Sequence, residues 1–255
     1  MDFQVADVAV PDGLQNPPVL RELKEMKGRV AAEGKEAEKG LRFRAVREEA
    51  LRVGAQTGLA YRYGLIMEYL NTNEPKLNVT FSFAGFVKEG RLLVPAIVQT
   101  PNQFILDQEK AEARVVRDAY TIEEEAKIIS VVPTWRDYLW QQYGYPEPPH
   151  SSMLPRSEAE VIAWKAGLDE GWRAGVRQAD SIYQDRLDSL TKAVEGRHLY
   201  KTLESKEMIS PAALKVVANR VTFNGRTMNV GEVIYSIKDI ANYKQSGDWR
   251  PVWTR

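Results

Sequence analysis

The sequence predicts an α+β fold, and three observations predict it. Two long segments carry apolar residues at three- and four-residue steps, with glycines set into the same stripes. Other stretches show a two-residue apolar period, one of them around an Asn-Gly pair. Helices and strands do not alternate in a βαβ rhythm, which leaves two long glycine-faced packed helices with antiparallel strand hairpins as the architecture. The composition suits a protein with a real core: 255 residues, 44% of them hydrophobic. There are 35 basic and 35 acidic side chains, two histidines and no cysteine. Zero net charge removes the electrostatic argument for direct nucleic-acid binding, or for an anionic membrane surface as the main partner. Absence of cysteine rules out a disulfide framework, a thiol nucleophile and cysteine-held metals.

Residues 1–19 read as a flexible, extended arm, because Pro11-Asp12-Gly13 and Asn16-Pro17-Pro18 bias the backbone towards turns and extended geometry. Fully extended, 19 residues reach about 60 Å. Residues 20–40 read as a charged linker helix interrupted at Gly28 and Gly34. The organisation expected is an arm and linker over 1–40, a single α+β domain over 41–245 and an aromatic C-terminal tail over 246–255.

The first strong helix is expected over 41–70, where Phe43, Val46, Ala50, Gly54, Gly58, Tyr61, Leu65 and Tyr69 form one stripe. A glycine inside a helix costs about 1 kcal/mol relative to alanine. Gly54 and Gly58 on the buried face therefore imply a closely approaching backbone. Leu77, Val79, Phe81 and Phe83 alternate with polar or small residues, which predicts a half-buried strand. Lys88-Glu89-Gly90-Arg91 reads as a turn into a strand over 92–98, at an edge because of Pro95. Residues 112–129 fit either a helix, through Glu123–Glu125, or a hairpin turning at Arg117-Asp118, and the hairpin is preferred. Thr134 reads as the N-cap of a short helix, and 144–156 as a proline-rich loop.

Ser157 and Glu160 match a capping box that opens the second strong helix. Its stripe runs Trp164, Leu168, Trp172, Val176, Ala179, Ile182, Tyr183, with Gly167, Gly171 and Gly175 beside it. These three glycines are expected to cross the Gly54/Gly58 face. A break is expected near Gly196, with helix resuming to about Met208. A hairpin follows over 215–230 around Asn224-Gly225, then a third strand over 233–237.

No run of 18 apolar residues exists to span a membrane. The first residues are acidic where a signal peptide needs a basic start, so the chain is either cytosolic or begins after a removed leader. Catalytic constellations are not found. His150 and His198 lack metal-ligand spacing, no Gly-x-Ser-x-Gly elbow exists, and the spaced glycines lie inside helices, away from any phosphate-binding loop. Glu123–Glu125 read as a solvated face. No enzyme activity, catalytic residue, cofactor or metal is expected. Trp135, Trp140, Trp164 and Trp172 read as core residues; an alternative has them as sugar platforms in a periplasmic carbohydrate- or peptidoglycan-binding or -hydrolysing protein. Trp249, Arg250 and Trp253 lie in a tail without rhythm and read either as partner contacts or as docking on the protein's own core.

Three blocks carry a family resemblance. They are Glu49-Ala50-Leu51-Arg52-Val53-Gly54-Ala55-Gln56-Thr57-Gly58-Leu59-Ala60-Tyr61-Arg62, then Val132-Pro133-Thr134-Trp135 with Tyr138-Leu139-Trp140, and then Leu154-Pro155-Arg156-Ser157 leading to Gly171-Trp172-Arg173-Ala174-Gly175-Val176-Arg177-Gln178-Ala179-Asp180. In this order the chain resembles the DotC family of type IVB (Dot/Icm-type) secretion systems, including its counterpart in IncI-type conjugative plasmids. The resemblance spans roughly 41–210. It implies a structural lipoprotein of the outer-membrane core complex, lipid-anchored on the periplasmic face and assembling in a ring with DotD-like and DotH-like subunits. The family offers no catalytic residues. The lipobox cysteine of such a protein is missing here, so the sequence resembles the mature body without its anchor.

Overall fold

The computed structural model describes residues 3–8, 16–28, 36–107 and 112–249. It is α+β, with five helices and seven strands among these residues. The chain divides into two compact units, each drawing on separated stretches of chain. Unit 1 comprises Met1–Leu77 and Tyr138–Leu187, and unit 2 Asn78–Asp137 and Asp188–Arg255.

Unit 1 is built on three helices. Helix α1 (Pro18–Glu25) starts with proline in its first turn, where the missing N–H costs no hydrogen bond. Helix α2 (Glu36–Thr72) is the first long helix, and α5 (Glu158–Ser205) contributes its part up to Leu187. Leu20 and Leu23 of α1 pack with Val46, Ala50 and Val53 of α2 and Trp164, Leu168 and Trp172 of α5. The indole N–H of Trp164 donates to the Leu23 carbonyl at 2.8 Å, so the ring is buried without an orphaned donor. Strict four-residue steps overshoot a 3.6-residue turn. The fully buried line of α2 accordingly continues through Tyr63, Ile66 and Leu70, while Tyr61, Leu65 and Tyr69 are half-buried.

The described start of the chain is not a free arm. Phe3 and Val8 are buried, the Tyr183 hydroxyl donates to the Phe3 carbonyl at 2.8 Å, and Arg62 donates to the Val8 carbonyl at 3.1 Å. The turn expected at Pro11-Asp12-Gly13 and the interruption at Gly34 lie outside the described residues.

Unit 2 centres on a three-stranded antiparallel sheet, β1 (Val87–Lys88), β2 (Leu92–Leu93) and β5 (Lys127–Ile128), in the order β1-β2-β5. Two long ribbons belong to separate sheets: β3 (Ala96–Asp107) with β4 (Glu112–Glu124), and β6 (Ala213–Asn224) with β7 (Thr227–Asp239).

Several local expectations are corrected. Residues 77–84 are not a strand: α3 covers Glu74–Thr80 and a 3-10 turn covers Ala84–Phe86. Glu74-Pro75 opens a helix well, Leu77 N–H bonds the Asn73 carbonyl at 3.0 Å, and Val79 is 80% exposed, which breaks the two-residue burial that a strand needs. Arg117-Asp118 is not a turn. It lies within β4, where Asp118 pairs with Pro101. The strand over 92–98 is divided by Val94-Pro95 into the end of β2 and the start of β3. No third strand follows the 215–230 hairpin, because 233–237 continue β7 through Gly231, which has a positive φ of 74°.

Helix α5 does not break at Gly196. A Cβ there would lie 3.0 Å from the Cβ of Ala96 and from the N and O of Ile97, so the missing side chain admits strand β3 against the helix. The helix ends at Ser205, with Glu207 at a positive φ of 55° closing the turn. Both caps expected from the sequence take modified forms. Ser157 Oγ accepts from Glu160 N–H at 3.3 Å, but the Glu160 carboxylate reaches back to Arg156 N–H at 2.7 Å. At α4 (Trp135–Leu139), Asp137 accepts from the Thr134 backbone N–H at 2.7 Å and from its hydroxyl at 3.1 Å.

Candidate functional site

The glycine stripes meet within unit 1. A Cβ on Gly54 would stand 2.6 Å from the Leu168 carbonyl oxygen, one on Gly58 2.5 Å from that of Trp172, and one on Gly167 2.8 Å from that of Arg47. On Gly171 and Gly175 it would come closer still to the Leu51 and Ala55 carbonyls. No side chain fits at any of the five. The partners rise together, Gly167 with Arg47, Gly171 with Leu51 and Gly175 with Ala55, so α2 and α5 run in the same direction here. This contact is structural.

Sequence reading missed the ion pairs that brace the helices. Arg62 Nε donates to Asp180 at 2.7 Å, and Arg42 Nε to Glu160 at 2.9 Å while its other nitrogens cap the Ser152 and Leu154 carbonyls. In unit 2 the guanidinium of Arg197 is fully buried, donating to Glu124 and to the Ala193 carbonyl, both at 2.7 Å, and lying 5.5 Å from the Phe83 ring centroid. Only Glu123 and Glu125 of the glutamate run are exposed. Burial tends to raise the Glu124 carboxyl, but hydrogen bonding and charge from Arg197, helped by Lys127, hold it below its ordinary value. Burial pushes the hydroxyls of Tyr63 and Tyr200 up to about 12, so both stay protonated donors, to the Leu139 carbonyl and to Glu204 respectively. Arg62–Asp180, Arg42–Glu160 and Arg197–Glu124 each join residues far apart in the chain, so no local spacing marks them and only the long-range fold brings them together.

Neither histidine faces a ligand cluster. His150 caps the 3-10 turn at Ser151–Met153, and the His198 ring stands edge-on to Phe86 with centroids 4.7 Å apart. Among the described residues no group of three or more His, Asp or Glu could hold a metal ion, and no helix is long and apolar enough to cross a membrane. Trp135, Trp164 and Trp172 are buried, and Trp140 is half-buried. The Trp135 indole donates to Asn78 at 2.8 Å.

The outward-facing features of unit 2 are its ribbons. Each has two strands only, so both outer edges present unpaired N–H and C=O groups. Their distal halves expose large apolar side chains. Phe104 and Val115 form a cross-strand pair on the first ribbon, 66% and 78% exposed, with Leu106 beside them. On the second, Val221 pairs with Val230 and Phe223 with Met228, all on one face and all exposed. Of the tail residues, Trp249 is exposed and donates to the Lys244 carbonyl at 3.1 Å; Arg250 and Trp253 lie outside the described residues.

One unit is tightly braced by helix packing and ion pairs, and the other displays exposed apolar β ribbons. The chain belongs to the type IV secretory system, conjugal DNA–protein transfer family, which it matches over residues 40–251. Comparison with curated proteins yields no matching relative.

Proposed function

We propose that this chain is a non-catalytic scaffold subunit of the outer-membrane core complex of a type IVB secretion or conjugation machine. It is the DotC-like member, held on the periplasmic face by a lipid anchor and assembling in a ring with DotD-like and DotH-like subunits. The observation that carries this reading is the pair of two-stranded ribbons with exposed apolar faces. An isolated two-stranded ribbon is marginal in water, and such surfaces are kept only where another chain covers them. Membership of the conjugal transfer family and the three DotC-like blocks support it further. Direct contact with nucleic acid is not part of the role, in keeping with zero net charge. The carbohydrate-platform alternative is less well supported, since three of its four rings, Trp135, Trp164 and Trp172, are buried and only Trp140 is half-exposed.

Affinity purification of the full-length protein from gently solubilised membranes, followed by imaging, tests the proposal. A ring containing DotD-like and DotH-like subunits is expected; a lone soluble monomer refutes it. Deleting residues 247–255 is expected to weaken assembly while leaving the melting temperature unchanged. An undisturbed complex would show that Trp249 and its neighbours are not anchors.

A further inference from the structure

We propose that unit 1 carries a peptide-docking socket, built on Tyr183, Arg62 and Asp180, which residues 3–8 of the same chain fill as a releasable strap. The inference goes beyond the scaffold reading and does not depend on it.

The strap is closed by its own local bonds. Around its single 3-10 turn, Val5–Asp7, Gln4 N–H donates to the Asp7 carboxylate at 2.8 Å. Asp7 N–H donates to the Gln4 carbonyl at 2.9 Å, and Val8 N–H to the Val5 carbonyl at 3.2 Å. Two apolar side chains flank the turn. Phe3 and Val8 are 3% and 4% exposed, while Gln4, Ala6 and Asp7 lie on the surface. The body meets the strap's carbonyl oxygens with donors. The Tyr183 hydroxyl donates to the Phe3 carbonyl at 2.8 Å, and Arg62 donates to those of Val8 at 3.1 Å and Val5 at 3.5 Å. These three bonds read main chain, so they suit any segment that presents carbonyls at this spacing. Selection among segments falls to the two apolar positions, as in other modes of peptide recognition.

Strain makes the strap releasable. Phe3 has a φ of 81°, a left-handed conformation that is costly for a bulky side chain. Release relieves this strain, which offsets part of what burial of Phe3 and Val8 gains. Seven residues separate Val8 from Asn16, a span of up to about 25 Å, so the strap can leave while α1 stays packed. The socket's donors are positioned by the body itself. Asp180 accepts from Arg62 Nε at 2.7 Å, which leaves the other two nitrogens for carbonyls. Burial pushes the Tyr183 hydroxyl up, so it stays a protonated donor. Tyr183 is fully buried and Arg62 is 5% exposed, and donors so placed are costly to leave without acceptors. The partner that fits is a short peptide segment of the strap's own form, with an aromatic and a β-branched residue five positions apart around one turn.

The absence of cysteine from this sequence makes the first measurement direct. Two full-length variants, Val8→Cys and Ala163→Cys, place a lone thiol in the strap and in the body of the same unit, at positions 4% and 5% exposed. In native buffer a maleimide is expected to label Val8→Cys about tenfold or more faster, because the strap opens without the rest of the unit. Equal rates overturn the release. The second measurement uses a fluorescent synthetic peptide with the sequence of residues 1–10. It is offered to the full-length double variant Phe3→Ser, Val8→Ser, whose own strap docks poorly and whose folding far-UV circular dichroism checks. The peptide is expected to bind this variant, and to bind the wild type about tenfold or more weakly, since an occupied socket lowers apparent affinity by the fraction open. The same peptide with both serines is expected not to bind. Absence of binding to the folded double variant, or equal binding to the wild type, overturns the socket. Should the double variant fail to fold, the peptide added to Val8→Cys is expected to speed its labelling by holding the strap off, and an unchanged rate overturns the socket. Each of these failures leaves the scaffold reading standing.

Discussion

The helix crossing of unit 1 and the ribbons of unit 2 use backbone in opposite ways. At the crossing, five glycines remove side chains so that two helices meet main chain to main chain, with Leu168 and Trp172 carbonyls against Gly54 and Gly58. Every helical N–H and C=O there is already bonded within its own helix, so close approach gains dispersion contacts and exposes nothing. In the ribbons, half of the backbone groups on each outer edge have no partner within the sheet, and Phe104, Phe223 and Val230 face outward. The first arrangement is complete within one chain. The second leaves edges and apolar faces exposed within the chain. One protein thus has a region closed on itself and a region left open, and on the proposed scaffold reading substitutions in the two should fail in different assays.

The largest effect is expected at the crossing. Gly171→Leu drives a side chain into the Leu51 carbonyl, which cannot give way without separating the helices. A loss of at least about 4 kcal/mol is expected, in the exceptional range for a single substitution. Thermal unfolding measures it, and an unchanged melting temperature would contradict the packing.

Next comes the buried ion pair of unit 2. Glu124→Gln leaves the fully buried Arg197 guanidinium without its counter-charge, and because the Glu124 side chain is 36% exposed and water screens the pair, about 1–2 kcal/mol of stability should be lost. The pair also predicts a pH dependence. Because the folded carboxyl titrates below the ordinary 4.5, its stabilising contribution is complete above that value and is lost as pH falls through the lower folded value. Denaturant midpoints of the wild type and the Gln variant between pH 7 and pH 3 should therefore converge on acidification. Parallel curves would mean that Glu124 is not the linked group.

A comparable loss is expected where a helix meets a strand. Gly196→Ala puts a methyl 3.0 Å from three atoms of Ala96 and Ile97, and about 1–2 kcal/mol should be lost. The smallest effect on folding belongs to the ribbons. Phe223→Ser removes a ring that is 75% exposed, so unfolding should shift by no more than about 0.5 kcal/mol. Recovery of the assembled complex should nevertheless fall. A large drop in melting temperature for Phe223→Ser would show that the ring packs within its own chain, and would erase the contrast between the two regions.

The parts of the fold legible in the sequence are those written in local spacing. The long helices, the cap at Ser157 and the turn near Gly225 follow from interactions between residues at most four apart. The turn itself is set one residue later than expected, since Asn224 already pairs with Thr227 and only Gly225 takes a positive φ of 58°. Where two periods compete, local spacing misleads. Leu77, Phe81 and Phe83 fit a strand on paper, but a helix that places Leu77 inward and Val79 outward, with Phe81 buried at the turn after it, satisfies their burial too. Gly196 has the same ambiguity: a lone glycine can stop a helix or admit a neighbour, and only the position of β3 distinguishes them.

By itself, the sequence determined that glycine faces must be buried against close backbone, because unburied they would cost helix stability with nothing to offset it. It could not give the parallel direction of α2 and α5, the pairing of Arg197 with Glu124, or the division into two units, since each depends on residues far apart in the chain. The exposure of the ribbons was decided at the tertiary level for the same reason. An apolar strand has the same two-residue period whether its face is covered or bare, and only the folded structure shows which apolar surfaces the chain leaves exposed.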